Sequence, residues 1–334
     1  MKKIILGLFL VASWVQKDVF AQNQPAFTIA FGSCNRQDLP QPLWKEIIKN
    51  NPDVWVWLGD NIYGDTEDMK LMKSKYDQVL ARTDYQALIK NSKVLGIWDD
   101  HDYGVNDGGV EYPQKAASQQ LMFDFLQYPK NTPLRQQKGA YHSQSITKNG
   151  KTIKIILLDA RYFRDPIKRV KGGYLLNKRG TILGKTQWKW LKKELTNSSA
   201  DVHIIGSGIQ FLPKDHRFEK WANFPKERKR LLKLIAKTKA KNVLLVSGDR
   251  HIAEISKYED SSLSQPLYEI TASGLTHTWG KKHPEVNRYR IGELIVALNF
   301  GLFEFNWGTS PSVTVKIKGL ENKTLLEHKI ELQK

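Results

Sequence analysis

The sequence predicts an α/β protein: one mixed sheet, or two packed sheets, with helices outside. Two observations carry that expectation. Strand-like apolar runs alternate with helix-like ones from about Ala26 to His251, and beyond Tyr258 the pattern turns to strands alone. The composition adds a third. A chain of 334 residues, 40% hydrophobic and 26% charged with ten tryptophans, can bury a large core and is not that of a disordered protein. No repeat, low-complexity linker or composition break divides it, so a single domain over residues 22–334 is the simplest count.

The elements follow in order. Lys2 and Lys3 precede an apolar run from Ile4 to Val15, and "VFA" (Val19–Ala21) supplies small residues at the positions a leader peptidase reads. Residues 1–21 are therefore expected to be a signal peptide cut after Ala21, the apolar run being too short to span a bilayer. The mature protein would be exported, periplasmic or secreted. "AFTIAFGSC" then reads as a strand, "PLWKEIIKNN" as a helix and "DVWVWLGD" as a strand. Asp68 to Asn91 carries apolar residues at helical spacing, "KVLGIW" is a strand and "YPQKAASQQLMFDFLQY" a helix. "GAYHSQSI" and "TIKIILLDARYF" read as a hairpin pair. Helix, strand, helix and strand follow in "GKTQWKWLKKEL", "VHIIGSGIQF", "FPKERKRLLKLIAKTK" and "NVLLVSGDRH". The closing strands are "PLYEITASG", "IGELIVALNFGLFEFNW", "SVTVKIKG" and "LLEHKIEL". The longest polar loop, Arg164 to Thr181, is basic and glycine-bearing and is placed to border a site.

A formal charge of +18 implies anionic partners without choosing among them. Many of the basic residues lie on expected helices, where a solvated face is the plainer reading. Cys34 is the only cysteine, so no internal disulfide exists. The "HExxH" motif of metalloproteases is absent.

Three apolar strands end in aspartate, at Asp60, at Asp99 and Asp100, and at Asp249, while a fourth ends at Cys34. A single Gly-Asp after a strand is ordinarily a turn. A lone buried cysteine is ordinarily a small hydrophobe. Four such endings together are another matter, because residues past the carboxyl ends of strands converge on one crevice in open α/β sheets. Cys34, Asp60, Asp100, Asp249 and His251 would then meet. Carboxylates suit hard ions such as Ca²⁺, Mg²⁺ or Mn²⁺, and thiolate with imidazole suits Fe or Zn, so such a set divides between two different cations. Bound cations would also answer the repulsion within "WDDHDYGVND".

These residues bring a resemblance with them. "FGSCN" (Phe31–Asn35), "LGDNIYGD" (Leu58–Asp65), "WDDHDYGVND" (Trp98–Asp107), "LLDARYFR" (Leu157–Arg164), "IIGSGIQF" (Ile204–Phe211) and "VSGDRH" (Val246–His251) resemble, in order, the alkaline phosphatase D (PhoD-like) family of calcineurin-like metallophosphoesterases. The resemblance implies a four-layer αββα sandwich of two mixed sheets flanked by helices. It implies Asp60 bridging two metals, with Cys34, Tyr63 and His251 on an Fe³⁺-type ion and Asp100 and Asp249 on a Ca²⁺-type one. Mn²⁺, Mg²⁺ or Zn²⁺ are alternatives. His101 falls where the family keeps its proton donor, and Arg161 and Arg250 match positions that hold phosphate oxygens. Asp99 and Asp102 are expected to orient the loop, while Asn61, Asn106 and Asp107 stay unassigned.

The function implied is hydrolysis of phosphate mono- or diesters, with metal-bound hydroxide attacking and His101 protonating the leaving group. Substrates would be small phosphate esters or anionic polymers: teichoic acid, nucleic acid or phospholipid headgroups. No stable protein partner is evident and a monomer is expected. The alternatives are a phospholipase-like diesterase of the same fold, or a non-catalytic basic protein on anionic envelope polymers or nucleic acid.

Overall fold

A computed structural model describes residues 25–281 and 285–334. The segment read as a signal peptide lies outside the described residues. Two large mixed sheets face each other. In the first, β1 (Phe27–Gly32), β2 (Val54–Leu58) and β3 (Lys93–Ile97) run parallel. β13 (Phe300–Asn306), β14 (Ser312–Lys318) and β15 (Thr324–Glu331) extend it antiparallel, giving the order β15-β14-β13-β1-β2-β3. The second contains β4 (His142–Lys148), β5 (Lys151–Leu157), β8 (Val202–Ser207), β9 (Val243–Ser247), β10 (Ala253–Tyr258), β11 (Leu267–Ala272) and β12 (Arg290–Ile295). Its order is β12-β10-β11-β9-β8-β5-β4, with β5, β8, β9 and β11 parallel. β6 (Arg169–Val170) and β7 (Gly173–Tyr174) form a separate small hairpin.

Alternation along the strands assigns their faces. In β2, Trp55 and Trp57 turn outward onto Trp44 of α1 (Leu43–Ile48), with ring centroids 5.3 Å apart in both cases. Trp57 also donates its indole N–H to the Tyr85 hydroxyl of α3 (Thr83–Asn91). Leu58 turns inward to the second sheet. A Cβ at Gly206 of β8 would meet Leu157 of its own sheet at 2.7 Å and Leu58 of the facing sheet at 3.1 Å, so the two sheets pack closely there. On the far side, Ile156, Ile205, Val243 and Leu245 pack with Trp188, Leu191 and Leu195 of α5 (Gly184–Thr196) and Leu231 and Ile235 of α6 (Pro225–Lys237). The layers are therefore helix, sheet, sheet, helix, as the resemblance implied. Among the described residues, no helix is long and apolar enough to cross a membrane.

Some expectations need correction. The single helix read over Asp68–Asn91 is two, α2 (Met69–Leu80) and α3, because Arg82 is extended (φ −73°, ψ 124°) and redirects Tyr85 and Leu88 beneath the sheet. The run "IGELIVALNFGLFEFNW" is not one strand: β12 belongs to the second sheet and β13 to the first. β10 was not expected at all. The basic loop Arg164–Thr181 carries β6 and β7.

Candidate metal centre

The carboxyl ends of β1, β2, β3 and β9 open at one end of the sandwich, and each turns sharply. Cys34, Asp60, Asp249 and His251 all adopt left-handed backbone, with φ of 61°, 49°, 66° and 53°. Non-glycine residues avoid that region, and its repeated use at three strand ends, twice after β9, marks a place where geometry is over-determined by the surroundings. One device is visible. The Asp102 carboxylate, on the short α4 (Asp100–Tyr103), accepts the backbone N–H groups of Asp60 (3.1 Å), Asn61 (3.2 Å) and Asp99 (2.7 Å). It thus ties the β2 turn to the β3 turn, the orienting role expected of it.

Two sets of ligand-competent atoms share one residue. In Cys34–Asp60–His251, and in Asp60–Asp99–Asp100–Asp249, one donor atom from each residue lies within 4.8 Å of the others. The Cys34 thiol is 3.4 Å from Asp60 Oδ2, and Asp60 Oδ1 is buried with no hydrogen-bond partner. The Tyr63 hydroxyl stands 3.3 Å from His251 Nε2 and 3.2 Å from His277 Nε2, beside the first set. A thiol, a phenol and an imidazole around a carboxylate on one side, and carboxylates alone on the other, fit a soft-to-intermediate cation next to a hard one.

Electrostatics give the same indication. Burial pushes the Asp60 carboxyl well up, as it does Asp249, where Asp99 and Asp100 add to it. Burial and then Asp60 raise the Cys34 thiol. Burial also lifts Asp99 to about 7, against Arg161, and Asp102 to about 8. Burial likewise opposes charge on Asp100, but Arg161 and His101 outweigh it and hold that carboxyl low. Packed carboxyls that resist ionisation are what a site prepared for cations looks like without them.

Residues 29–299 match the PhoD-like phosphatase family. The chain belongs to that family. Alkaline phosphatase D of Bacillus subtilis (strain 168) is 23% identical over 279 residues, which cover 69% of this chain and 46% of its own length. The chain thus spans about half the length of that curated relative. A solved structure of PhoD superposes with a TM-score of 0.70 at 17% identity, over 92% of this chain and 69% of the other. A dimetal phosphatase from Danio rerio gives 0.60 at 15%, over 93% and 100%.

Within this PhoD-like frame the remaining expected residues fall as follows. His101 stacks on Tyr63 with centroids 4.1 Å apart, and its Nδ1 lies 2.8 Å from Asp65. Arg161 is fully buried. It donates Nε to Asp99 (2.7 Å) and Nη1 to Glu219 (2.8 Å), while Nη2, 4.0 Å from Asp100, has no hydrogen-bond partner. Arg250 is differently engaged: its amino groups meet Gln210 (3.2 Å) and Glu285 (2.8 Å), and its guanidinium covers Phe218 at 4.3 Å. Asn61 donates to the Ile97 carbonyl, and Asn106 is exposed. Asp107 donates its N–H to Asp100 (2.7 Å) and accepts from the Tyr174 hydroxyl (2.7 Å), so the basic loop does border the site. His277, Asp65 and Glu219 were not anticipated. Asp65 lay inside a quoted motif; His277 and Glu219 carried no local signal.

One consequence is measurable. A carboxyl whose folded pKa exceeds its unfolded value binds more protons when folded, so the stability it contributes at low pH is lost as pH rises through the folded value. For Asp99 and Asp102 that loss begins near the ordinary carboxylate value of about 4 and is complete only at about pH 7 to 8. His251 and His277, held neutral at about 3 and about 4 chiefly by burial, act in the opposite sense, but only below the ordinary histidine value of about 6.5. The chelated protein should therefore lose several degrees of melting temperature between about pH 6.5 and 8. Added cations should flatten that slope. Scanning calorimetry with and without chelator checks it, and equal slopes would contradict the cation-site assignment.

Proposed function

We propose that this chain is an exported, metal-dependent phosphoesterase that hydrolyses phosphate mono- or diesters at a two-cation centre. The observation that carries the reading is Asp60, common to a thiol–imidazole set and an all-carboxylate set. Cys34, Tyr63 and His251 would hold an iron-type cation and Asp100 and Asp249 a calcium-type one, with Asp60 between. When bound, such cations supply positive charge for the phosphate oxygens and lower the pKa of a water. The open Nη2 of Arg161 is aimed beside Asp100, where it can take a further phosphate oxygen. Nδ1 of His101 is occupied by Asp65, so Nε2 is the nitrogen left to give a proton to the departing oxygen as its bond to phosphorus breaks. Export rests on the N-terminal segment of the sequence, and the net charge of +18 suits polyanionic as well as small substrates.

Elemental analysis of the purified protein, paired with turnover of p-nitrophenyl phosphate and bis-p-nitrophenyl phosphate, tests the reading. About two bound cations per chain and chelator-sensitive turnover are expected. Protein that holds no metal and gains no activity with Fe, Ca, Mn or Zn would refute it.

A further inference from the structure

Four aromatic rings lead away from the proposed proton donor. His101 stacks on Tyr63 at 4.1 Å, Tyr63 meets His251 edge-on at 6.5 Å, His251 faces Trp279 at 5.4 Å and Trp279 faces Phe218 at 5.5 Å. The row ends in a cavity of about 520 Å³, well within the range of small-molecule sites. Its lining includes Phe218, Trp279, Ile252, Leu294 and Val296, together with the buried His216 and charged side chains such as Arg217 and Glu285. The aromatic walls are fixed in place from the site itself. Trp279 donates its indole N–H to the Arg250 carbonyl (2.8 Å) and its backbone N–H to that of His251 (3.4 Å). Phe218 precedes Glu219, the partner of Arg161, and lies under the Arg250 guanidinium. Trp279 nevertheless stays 46% exposed, an apolar surface of the kind that marks a binding site.

We propose that this cavity binds a planar aromatic ester arm of a phosphodiester, the arm that stays on phosphorus. The inference rests on the phosphoesterase reading above. The direction follows from the row of rings. His101 would protonate the leaving oxygen, and it joins the row at Tyr63, whereas Trp279 and Phe218 join it further on, past His251. An organic group in the cavity therefore meets the end of the row opposite the proton donor. In the reaction water adds to phosphorus, the bond to the other alcohol breaks, that alcohol leaves with the proton, and the aromatic monoester is the second product. Arg250 thereby has a use apart from phosphate: it fixes the ring of Phe218 while Glu285 and Gln210 hold it.

The test keeps the leaving group constant and varies the retained arm. With p-nitrophenolate leaving, kcat/KM is measured for phenyl and methyl p-nitrophenyl phosphate, and their ratio is the readout. Base-on-aromatic stacking predicts a phenyl-to-methyl ratio above about 10 in the native protein, falling about 10-fold in Trp279→Ala and Phe218→Ala. Trp279→Phe should recover part of it. Leu294→Trp, which fills the cavity and leaves the rings named above unsubstituted, should lower the ratio as well. A ratio unchanged in all four overturns the proposal. Calorimetric titration of the metal-loaded protein with diphenyl and dimethyl phosphate separates the two readings. If neither ester is hydrolysed, the phosphoesterase reading fails, and the cavity is judged by binding alone. Tighter diphenyl phosphate, weakened by Phe218→Ala, supports it; equal affinities overturn it.

Discussion

Asp60→Asn should leave less than one tightly held cation per chain and cut phosphate-ester turnover by about 10³-fold or more, the several kcal/mol a cation pair supplies to a phosphoryl transition state. No other residue belongs to both donor sets, so no other single change disables both. An amide keeps the shape of the carboxyl but offers one neutral oxygen instead of two anionic ones. Loss of folding is the competing explanation, and the physics separates the two. The carboxyl of Asp60 is fully buried, its Oδ1 has no hydrogen-bond partner, and burial already pushes its pKa well up. Its charge is thus a burden on the metal-free fold, so the chelated variant should melt at or above the native temperature. The metal-loaded native protein should melt well above both, since a ligand that binds only the folded state stabilises it. Cys34→Ser is the comparison: it touches one set only, so the carboxylate-bound cation should survive. Elemental analysis and calorimetry on the same samples read all of this. An Asp60→Asn protein that retains two cations would remove the basis of the dinuclear reading.

The strand tips were legible because each couples two local signals. An apolar run of five or six residues fixes the strand, and a Gly-Asp, Trp-Asp or Ser-Cys directly after it gives both the turn and the ligand. Their convergence also followed, since parallel strands share one carboxyl end. What escaped depends on sheet order. His277 follows β11, and it reaches Tyr63 only because β11 pairs with β9 in the second sheet while its loop meets the Cys34 turn, with Thr276 donating to the Cys34 carbonyl. Nothing in "ASGLTHTW" announces that. Glu219 lies in a loop and becomes a site residue through Arg161, which two separate segments must bring together. The crossing between β12 and β13 was hidden for a similar reason. "IVALNF" contains no glycine or proline, and the chain changes sheets at Asn299, which bridges to Gly274 instead of continuing a ladder. Local pattern reports which residues form a strand, whereas the partner sheet is decided by contacts distant in sequence.

His101→Ala should lower kcat by about 10²- to 10⁴-fold on an ester with a poor leaving group, the usual contribution of a positioned acid, and far less on a p-nitrophenyl ester. The contrast arises because an alkoxide cannot depart without a proton while nitrophenolate can. The structure adds a second handle through Asp65. Burial works against the His101 charge, yet Asp100, Asp60 and Asp65 together push it up to about 11. Cations on Asp60 and Asp100 would cancel most of their pull, which leaves Asp65, 2.8 Å from Nδ1, as the carboxylate that keeps the ring protonated. Asp65→Asn should therefore move the alkaline limb of the pH–rate profile to lower pH, because a proton held less firmly is lost sooner. At pH values below that limb the rate should fall only modestly, since the amide oxygen can still accept from Nδ1 and preserve the tautomer. A merely structural Asp65 would lower the rate at every pH without shifting the limb. If His101→Ala hydrolyses the alkyl ester at the native rate, the donor is another group, and the stacking of His101 on Tyr63 would then serve only to position the phenol.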